Sequence, residues 1–268
     1  MNLINAAILG IIEGLTEFFP VSSTGHLIIA EHLLGITSNS VFFNTIIQVG
    51  AILAVLVFYR VRILQILEHL SQKSSRMYVL HLVIATVPVL FIGAIFHKKI
   101  ELLQQSLGVV VLMTIAVAIV MWIMQRMYKA TLENGKKEGE QTTFDYIITG
   151  LYQAISVVPG TSRSGITMLG AISRKFSFAD AMETSFLLGI PAMAAAAGFE
   201  GLKLFSTHEA IDSSMVLATG VGFVAAFVTA IATISITLPI LKKYGFTPFI
   251  VYRLVLGVIL LLFVAKLF

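Results

Sequence analysis

The chain has 268 residues, 57% of them hydrophobic and only 12% charged, with a mean hydropathy of +0.95 and a formal net charge of +4. This composition excludes an ordinary soluble domain and reads as one compact integral membrane domain, 1–268. The basic residues sit in short loops between apolar stretches, which argues against nucleic acid as a partner, and the absence of cysteine removes disulfides and thiolate ligands.

Residues 3–19 are apolar and helix-forming, yet they carry Glu13 and Glu17. They are too interrupted for an ordinary span, which needs about 20 apolar residues, and they lack the basic leader of a signal peptide. Glu13 and Glu17 are four apart and share a helix face. Pro20 stops that helix, and Ser22-Ser23-Thr24-Gly25 forms a polar turn before His26 and a second short apolar segment, 27–34. Two short helices around a polar turn predict a re-entrant hairpin, tolerated at membrane depth only where protein or water surrounds it. Spans are expected at 41–59, 77–96 and 106–125, with a basic loop at 60–76 and Trp122 at an interface.

Residues 129–144 read as a polar cytoplasmic linker between a first repeat, 1–128, and a second, 145–268. The second repeat copies the plan 140 residues later. Gly10, Ser22 and Gly25 fall on Gly150, Ser162 and Gly165, and Glu13 falls on Gln153. A second hairpin is expected at 145–158 and 166–172, then spans near 185–203, 214–238 and 249–267. The expected fold is therefore all-α: an inverted repeat, each half one re-entrant hairpin plus three transmembrane helices, with the two turns meeting near the midplane.

Loop charge sets the orientation. Arg60, Arg62, Lys73, Arg76, Arg126, Lys129, Lys136, Lys137, Arg174, Lys175, Lys242 and Lys243 fall on one side, and Lys98, Lys99, Lys203 and Lys266 on the other. The rich side is cytoplasmic and both termini are outside. Arg163 and Arg253 remain within membrane segments. Arg253 is expected to snorkel to the cytoplasmic interface, His81 to be structural, and Pro191 and Pro239 to mark kinks or helix ends.

Glu13-Gly-Leu-Thr-Glu17 with Pro20-Val-Ser-Ser-Thr-Gly-His26 resembles the first signature of the undecaprenyl-diphosphatase family, also called bacitracin-resistance proteins. Pro159-Gly-Thr-Ser-Arg-Ser-Gly-Ile-Thr167 resembles the second. The likeness covers essentially the whole chain, with one departure: Asn44 stands where the family usually has an acid. The resemblance implies a bacterial inner-membrane hydrolase, a phosphatase that converts undecaprenyl diphosphate to undecaprenyl phosphate. It thereby serves peptidoglycan synthesis and antibiotic resistance. It implies Glu13, Glu17, Ser23, His26 and Arg163 as the catalytic set.

The residues can be read for chemistry directly. A diphosphate is hydrolysed largely by charge stabilisation and positioning. Arg163 offers a planar fork for phosphate oxygens; Ser162, Ser164, Thr167 and the backbone near Gly160 add donors. Ser22, Thr24 and Gly25 of the first turn, with Gln153, complete the expected substrate-binding set. Glu13 and Glu17 are hard oxygen ligands for a divalent cation, Mg²⁺ or Ca²⁺, or one of them is a general base. The nucleophile is left open between Ser23, His26 and water. A Glu pair at this spacing usually marks a solvated face and a Ser-Ser-Thr-Gly run a cap. Arg163 resists so plain an account, since a mid-bilayer Arg costs about 2.5–3.5 kcal/mol on insertion scales. The alternative function is a polyprenyl-phosphate transporter or flippase, because broken helices in inverted repeats are common in transporters. The expected partners are a polyprenyl diphosphate lipid and membrane lipid, and a homodimer is left open. The acid-rich first hairpin is expected to line an outward vestibule, giving an active site that faces the periplasm.

Overall fold

The computed structural model describes residues 1–36, 41–104, 106–128, 135–136, 139–207 and 213–265. The described residues form helices and no strand. In chain order these are α1 (Leu3–Phe18), α2 (Ser23–Leu33), α3 (Val41–Phe58), α4 (Arg60–Glu68), α5 (Lys73–Gln104) and α6 (Leu107–Met127). They are followed by α7 (Thr143–Ala154) with a 3-10 turn at Ile155–Val157, α8 (Arg163–Ser173), α9 (Phe178–Thr207), α10 (Ser213–Tyr244) and α11 (Thr247–Ala265).

Among the described residues, four segments are long and apolar enough to cross a membrane: Lys73–Ile100, Leu107–Met127, Phe178–Leu202 and Met215–Tyr244. Phe42–Phe58 and Arg60–Glu68, bent by 65°, make a broken fifth candidate. The chain is a multi-pass membrane protein. Six full spans were expected; α3 and α11 are the two that fall short. The apolar part of α11 is the shorter helix Thr247–Phe263, and its centre carries a buried arginine that serves the core.

The expected basic loop at 60–76 is a correction: Arg60–Glu68 is helical and α5 already begins at Lys73. The basic residues masked an amphipathic repeat, whose Val61, Leu64 and Leu67 stay exposed as in an interfacial helix. Pro88, Pro191 and Pro239 all lie inside their helices, so neither Pro191 nor Pro239 ends one. The linker lies partly outside the described residues (129–134 and 137–138). Its described part is docked: the Lys136 N–H donates to Lys175 O at 2.8 Å. The helix α7 that follows the linker begins at Thr143, behind a capping box of Thr142 and Asp145.

Each hairpin leans on the middle of the other half. α1 packs chiefly against α10, and α7 against α5. Both crossings need a missing side chain. A Cβ on Gly10 would lie 2.2 Å from Gly222 O, and one on Gly150 would lie 2.3 Å from Ala85 O. The same sequence position, 140 residues apart, thus makes the same backbone-to-backbone approach. A large core containing Phe18, Met121, Met168, Phe176 and Phe186 backs the turns, and a smaller one around Leu9, Phe43 and Ile47 lies beside α1.

Candidate active site

The two polar turns are built alike. Ser22 (φ 80°, ψ 98°) caps α2 and Ser162 (φ 75°, ψ 107°) caps α8. Each hydroxyl accepts the N–H three residues on: Gly25 N at 3.4 Å and Gly165 N at 3.2 Å. Left-handed backbone at a non-glycine residue costs about 1–3 kcal/mol, and here it occurs at both tips. The turns also interlock, since a Cβ on Gly165 would lie 3.0 Å from Pro20 Cβ. Two helix N-termini therefore converge, each with open N–H groups and the positive end of a helix dipole.

Between them lies a cavity of about 180 Å³ lined by Glu17, Ser22, Ser23, Thr24, Ser162 and Arg163, together with Gln48 and apolar groups. At its floor Ser23 Oγ donates to Glu17 Oε2 at 2.5 Å. Arg163 Nη2 donates to the other oxygen, Glu17 Oε1, at 2.6 Å. Arg163 Nη1 donates to Ser185 O at 2.8 Å, and its Nε is buried without a partner. The guanidinium lies over Gly189, where a Cβ would be 2.3 Å from Nη1. The cavity continues into a groove of about 520 Å³ between α5 and α9, with Thr24, Val89, Ser156, Pro159, Ala192 and Ala196 common to both. The groove is walled mostly by Leu90, Ala94, Ile100, Ala195 and Phe199 and reaches His97 and Glu200.

The other expected residues divide. Glu13 is fully buried, beneath the cavity rather than lining it, and neither carboxylate oxygen has a hydrogen-bond partner. It lies close enough to feel both Glu17 and Arg163. Gln153, its counterpart, is likewise buried with both amide atoms unpaired. Ser164 donates to Phe19 O at 3.2 Å and Thr167 to Arg163 O at 2.7 Å, so their hydroxyls are used within the protein. Gly25 packs against Val110 and Gly160.

His26 is not among the residues lining the cavity. Its Nδ1 lies 2.6 Å from Ser22 O and its Nε2 2.6 Å from Tyr252 Oη. A carbonyl only accepts, so Nδ1 carries the proton; in the neutral ring Nε2 then accepts from the tyrosine hydroxyl. His81, expected to be structural, has Nε2 3.0 Å from Thr143 Oγ1 and its ring stacked on Tyr146. At the Asn44 departure a carboxylate is still present, because Asn44 Nδ2 donates to the buried Glu31 Oε1 at 3.0 Å.

Arg253 overturns the snorkelling expectation. It is 0% exposed and donates to four carbonyls: Pro20 O (3.2 Å), Gly160 O (2.7 Å), Thr114 O (3.2 Å) and Met113 O (3.1 Å). Pro20 and Gly160 belong to the two turns, whose broken helices leave carbonyls in need of donors. Ser185, Gly189, Tyr252 and this use of Arg253 were not anticipated from sequence. Only Arg253 carried a signal, as a charge inside an otherwise apolar stretch.

Glu13 and Glu17 are oxygen donors suited to a hard divalent cation, and the unpaired oxygens of Glu13 fit such a role. Among the described residues no cluster of three or more His, Cys, Asp or Glu assembles. Two carboxylates are the protein share that Mg²⁺ commonly takes when phosphate and water supply the rest.

The described family of bacitracin resistance protein BacA matches residues 6–259. The chain belongs to that family. Named relatives agree over almost the full length. An undecaprenyl-diphosphatase of Bdellovibrio bacteriovorus is 37% identical over 264 residues, 98% of this chain and 96% of the relative. Undecaprenyl-diphosphatase 1 of Mesorhizobium japonicum is 38% identical over 261 residues, 96% of this chain and 95% of the relative. An undecaprenyl-diphosphatase of Neisseria gonorrhoeae is 34% identical over 262 residues, 97% and 94%.

Proposed function

We propose that this chain is an undecaprenyl-diphosphate phosphatase that releases inorganic phosphate and returns undecaprenyl phosphate. One observation carries the mechanism: Ser23, Glu17 and Arg163, drawn from both hairpins, are hydrogen-bonded in series in a polar cavity that opens into an apolar groove. Ser23 Oγ attacks the terminal phosphorus as its proton passes to Glu17 Oε2. The Oγ–P bond forms and the bond from phosphorus to the bridging oxygen breaks, releasing undecaprenyl phosphate. Glu17 gives that proton up to solvent as undecaprenyl phosphate leaves. Water then attacks the phosphorus as its proton passes to Glu17, the phosphorus–Oγ bond breaks, Glu17 returns the proton to Ser23 Oγ, and inorganic phosphate leaves. Arg163 and the N-termini of α2 and α8 hold the charge on the transferred group. The prenyl tail lies in the groove beside α5 and α9.

Glu13 and Glu17 would hold a divalent cation, Mg²⁺ or Ca²⁺, whose chemistry there is to neutralise diphosphate charge. His26 acts through the turn: its two hydrogen bonds tie Ser22 to Tyr252 of α11. The two halves are inverted copies of each other, a reading supported by the twin caps and the reciprocal crossings at Gly10 and Gly150. The site faces the periplasm of a bacterial inner membrane. Supporting this, the groove runs toward His97 and Glu200, away from the ends of α3, α6 and α10 where the basic residues gather. The transport alternative is not favoured, because the relatives are named as diphosphatases.

The test is phosphate release from undecaprenyl diphosphate by purified protein in detergent, with and without chelator, comparing the native chain with Ser23→Ala. The expected loss is at least about a thousandfold, as for removal of a nucleophile with its base. Near-native turnover in Ser23→Ala overturns the mechanism, and absence of any hydrolysis by the native chain overturns the function.

A further inference from the structure

At the other end of α9 from the groove lies a separate cleft of about 840 Å³. Its walls come from the end of α6 (Gln125, Arg126), the start of α9 (Ser177, Phe178, Ala179) and the α10–α11 turn (Leu241 to Gly245). Three cations line it, Arg126, Lys242 and Lys243, and no carboxylate does. The ion pairs found among the described residues use Arg62, Lys136, Arg163 and Arg174, and none uses these three. The nearest acid on α9, Asp180, accepts from Ser177 Oγ at 2.7 Å and lines a different cavity with Arg62 and Glu183. Among the described residues, then, no carboxylate neutralises the positive charge that lines the cleft.

The floor is fixed. The side chain of Gln125 accepts from Phe246 N at 2.5 Å and donates to Thr247 Oγ1 at 2.9 Å, locking α6 to the α10–α11 turn. Two of the cations lie over aromatic rings, Arg126 over Trp122 at 5.1 Å and Lys243 over Tyr244 at 4.9 Å. Beside the cleft, α6 presents an exposed apolar strip of Ile119, Trp122, Ile123 and Met127. Charge at the mouth, amphipathic rings at the edge and an apolar strip alongside match the three layers of a glycerolipid: phosphate, glycerol region and acyl chain.

We propose that this cleft seats the phosphate headgroup of an anionic phospholipid, whose acyl chains lie along the exposed strip of α6. A free phosphate would share the cations but has no use for the apolar strip. The site is distinct from the one between the turns: the two have no lining residue in common.

Trp122 is the only tryptophan in the chain and lies beneath Arg126, so it reports on the cleft. The full-length protein is reconstituted in phosphatidylcholine vesicles in which either phosphatidylglycerol or phosphatidylcholine carries brominated acyl chains, and quenching of Trp122 is titrated. One basic side chain beside an anionic lipid surface is worth about fivefold in binding. Through Lys242 and Lys243 together, brominated phosphatidylglycerol should therefore half-quench at about a 25-fold lower mole fraction than brominated phosphatidylcholine. The double variant Lys242→Gln, Lys243→Gln should bring that ratio close to one. The variant Lys73→Gln, Arg76→Gln, which removes equal charge elsewhere, should keep it. Excess inorganic phosphate should leave the ratio unchanged. Equal quenching by both lipids, or a preference that survives loss of Lys242 and Lys243, overturns the proposal. So does a preference lost equally in the Lys73 and Arg76 variant, which would mark diffuse attraction. Displacement of the brominated lipid by inorganic phosphate overturns the lipid as occupant.

Discussion

Arg163 depends on shape as much as charge. Its fork gives one nitrogen to Glu17 and another to Ser185 O, over a backbone surface left open by Gly189. A lysine would keep the charge and lose the second direction. Arg163→Lys should therefore lower turnover at least about a hundredfold while the protein still elutes as a folded species. Gly189→Ala gives a sharper test, since it changes no charge. Its methyl group would occupy the place of the guanidinium, so turnover should fall by a comparable factor. Phosphate release by both variants checks this, and a fully active Gly189→Ala would show that the observed seat is not the working one. Arg163, Glu17 and Ser23 could be read from sequence because charge and hydroxyls stand out in apolar surroundings. Gly189 and Ser185 could not. Their contributions are a missing side chain and a backbone carbonyl, and neither leaves a mark in residue type.

At the level of elements, the membrane makes broken helices costly unless their ends find partners. The base of the second hairpin, at the start of α7, is held by Asp145. Lys136, Arg174 and Thr142 all bond its carboxylate, at 2.5, 2.9 and 2.8 Å for Lys136 Nζ, Arg174 Nε and the Thr142 N–H. Burial alone would raise its pKa, but these bonds outweigh it and lower it to about 2. A carboxylate depressed in the folded state stabilises above its unfolded pKa and loses that contribution as pH falls through the folded value. Stability from Asp145 should thus be intact above about pH 4 and disappear toward pH 2. Thermal melts in detergent across that range should fall for the native chain and be flatter for Asp145→Asn, which starts lower. The tips of both hairpins are held by Arg253. Arg253→Met leaves carbonyls of both turns without a donor, and a buried orphan costs about 1–3 kcal/mol. Its melting temperature should drop well below that of Arg253→Lys, which keeps one donor group. The hairpins themselves were legible, through Pro20, Pro159 and the polar turns. What binds them was not, because a buried arginine and a snorkelling one look alike until the fold shows which carbonyls are unpaired.

For the whole molecule, two pairs of positions 140 residues apart share a local geometry, the caps at Ser22 and Ser162 and the crossings at Gly10 and Gly150, which supports the proposed repeat. Span counting was less faithful. Hydropathy sees apolar length, whereas α11 divides its length between lipid and a buried arginine, and α3 turns into the interfacial α4. The direction in which the site opens follows from joining the two kinds of information. The groove leads from the cavity along the second halves of α5 and α9, past His97 and Glu200. The residues beyond that end include Lys98 and Lys99, whereas the opposite ends carry most of the chain's Lys and Arg. The positive-inside rule supports the proposal that the groove end is periplasmic. The chain has no native cysteine, so single cysteines report cleanly. Lys98→Cys and Ser71→Cys both lie on exposed residues, one at each end. In intact cells an impermeant maleimide should label Lys98→Cys and leave Ser71→Cys unlabelled until the membrane is opened. The reverse pattern would turn the whole molecule over, and the groove would then deliver its substrate from the cytoplasmic leaflet.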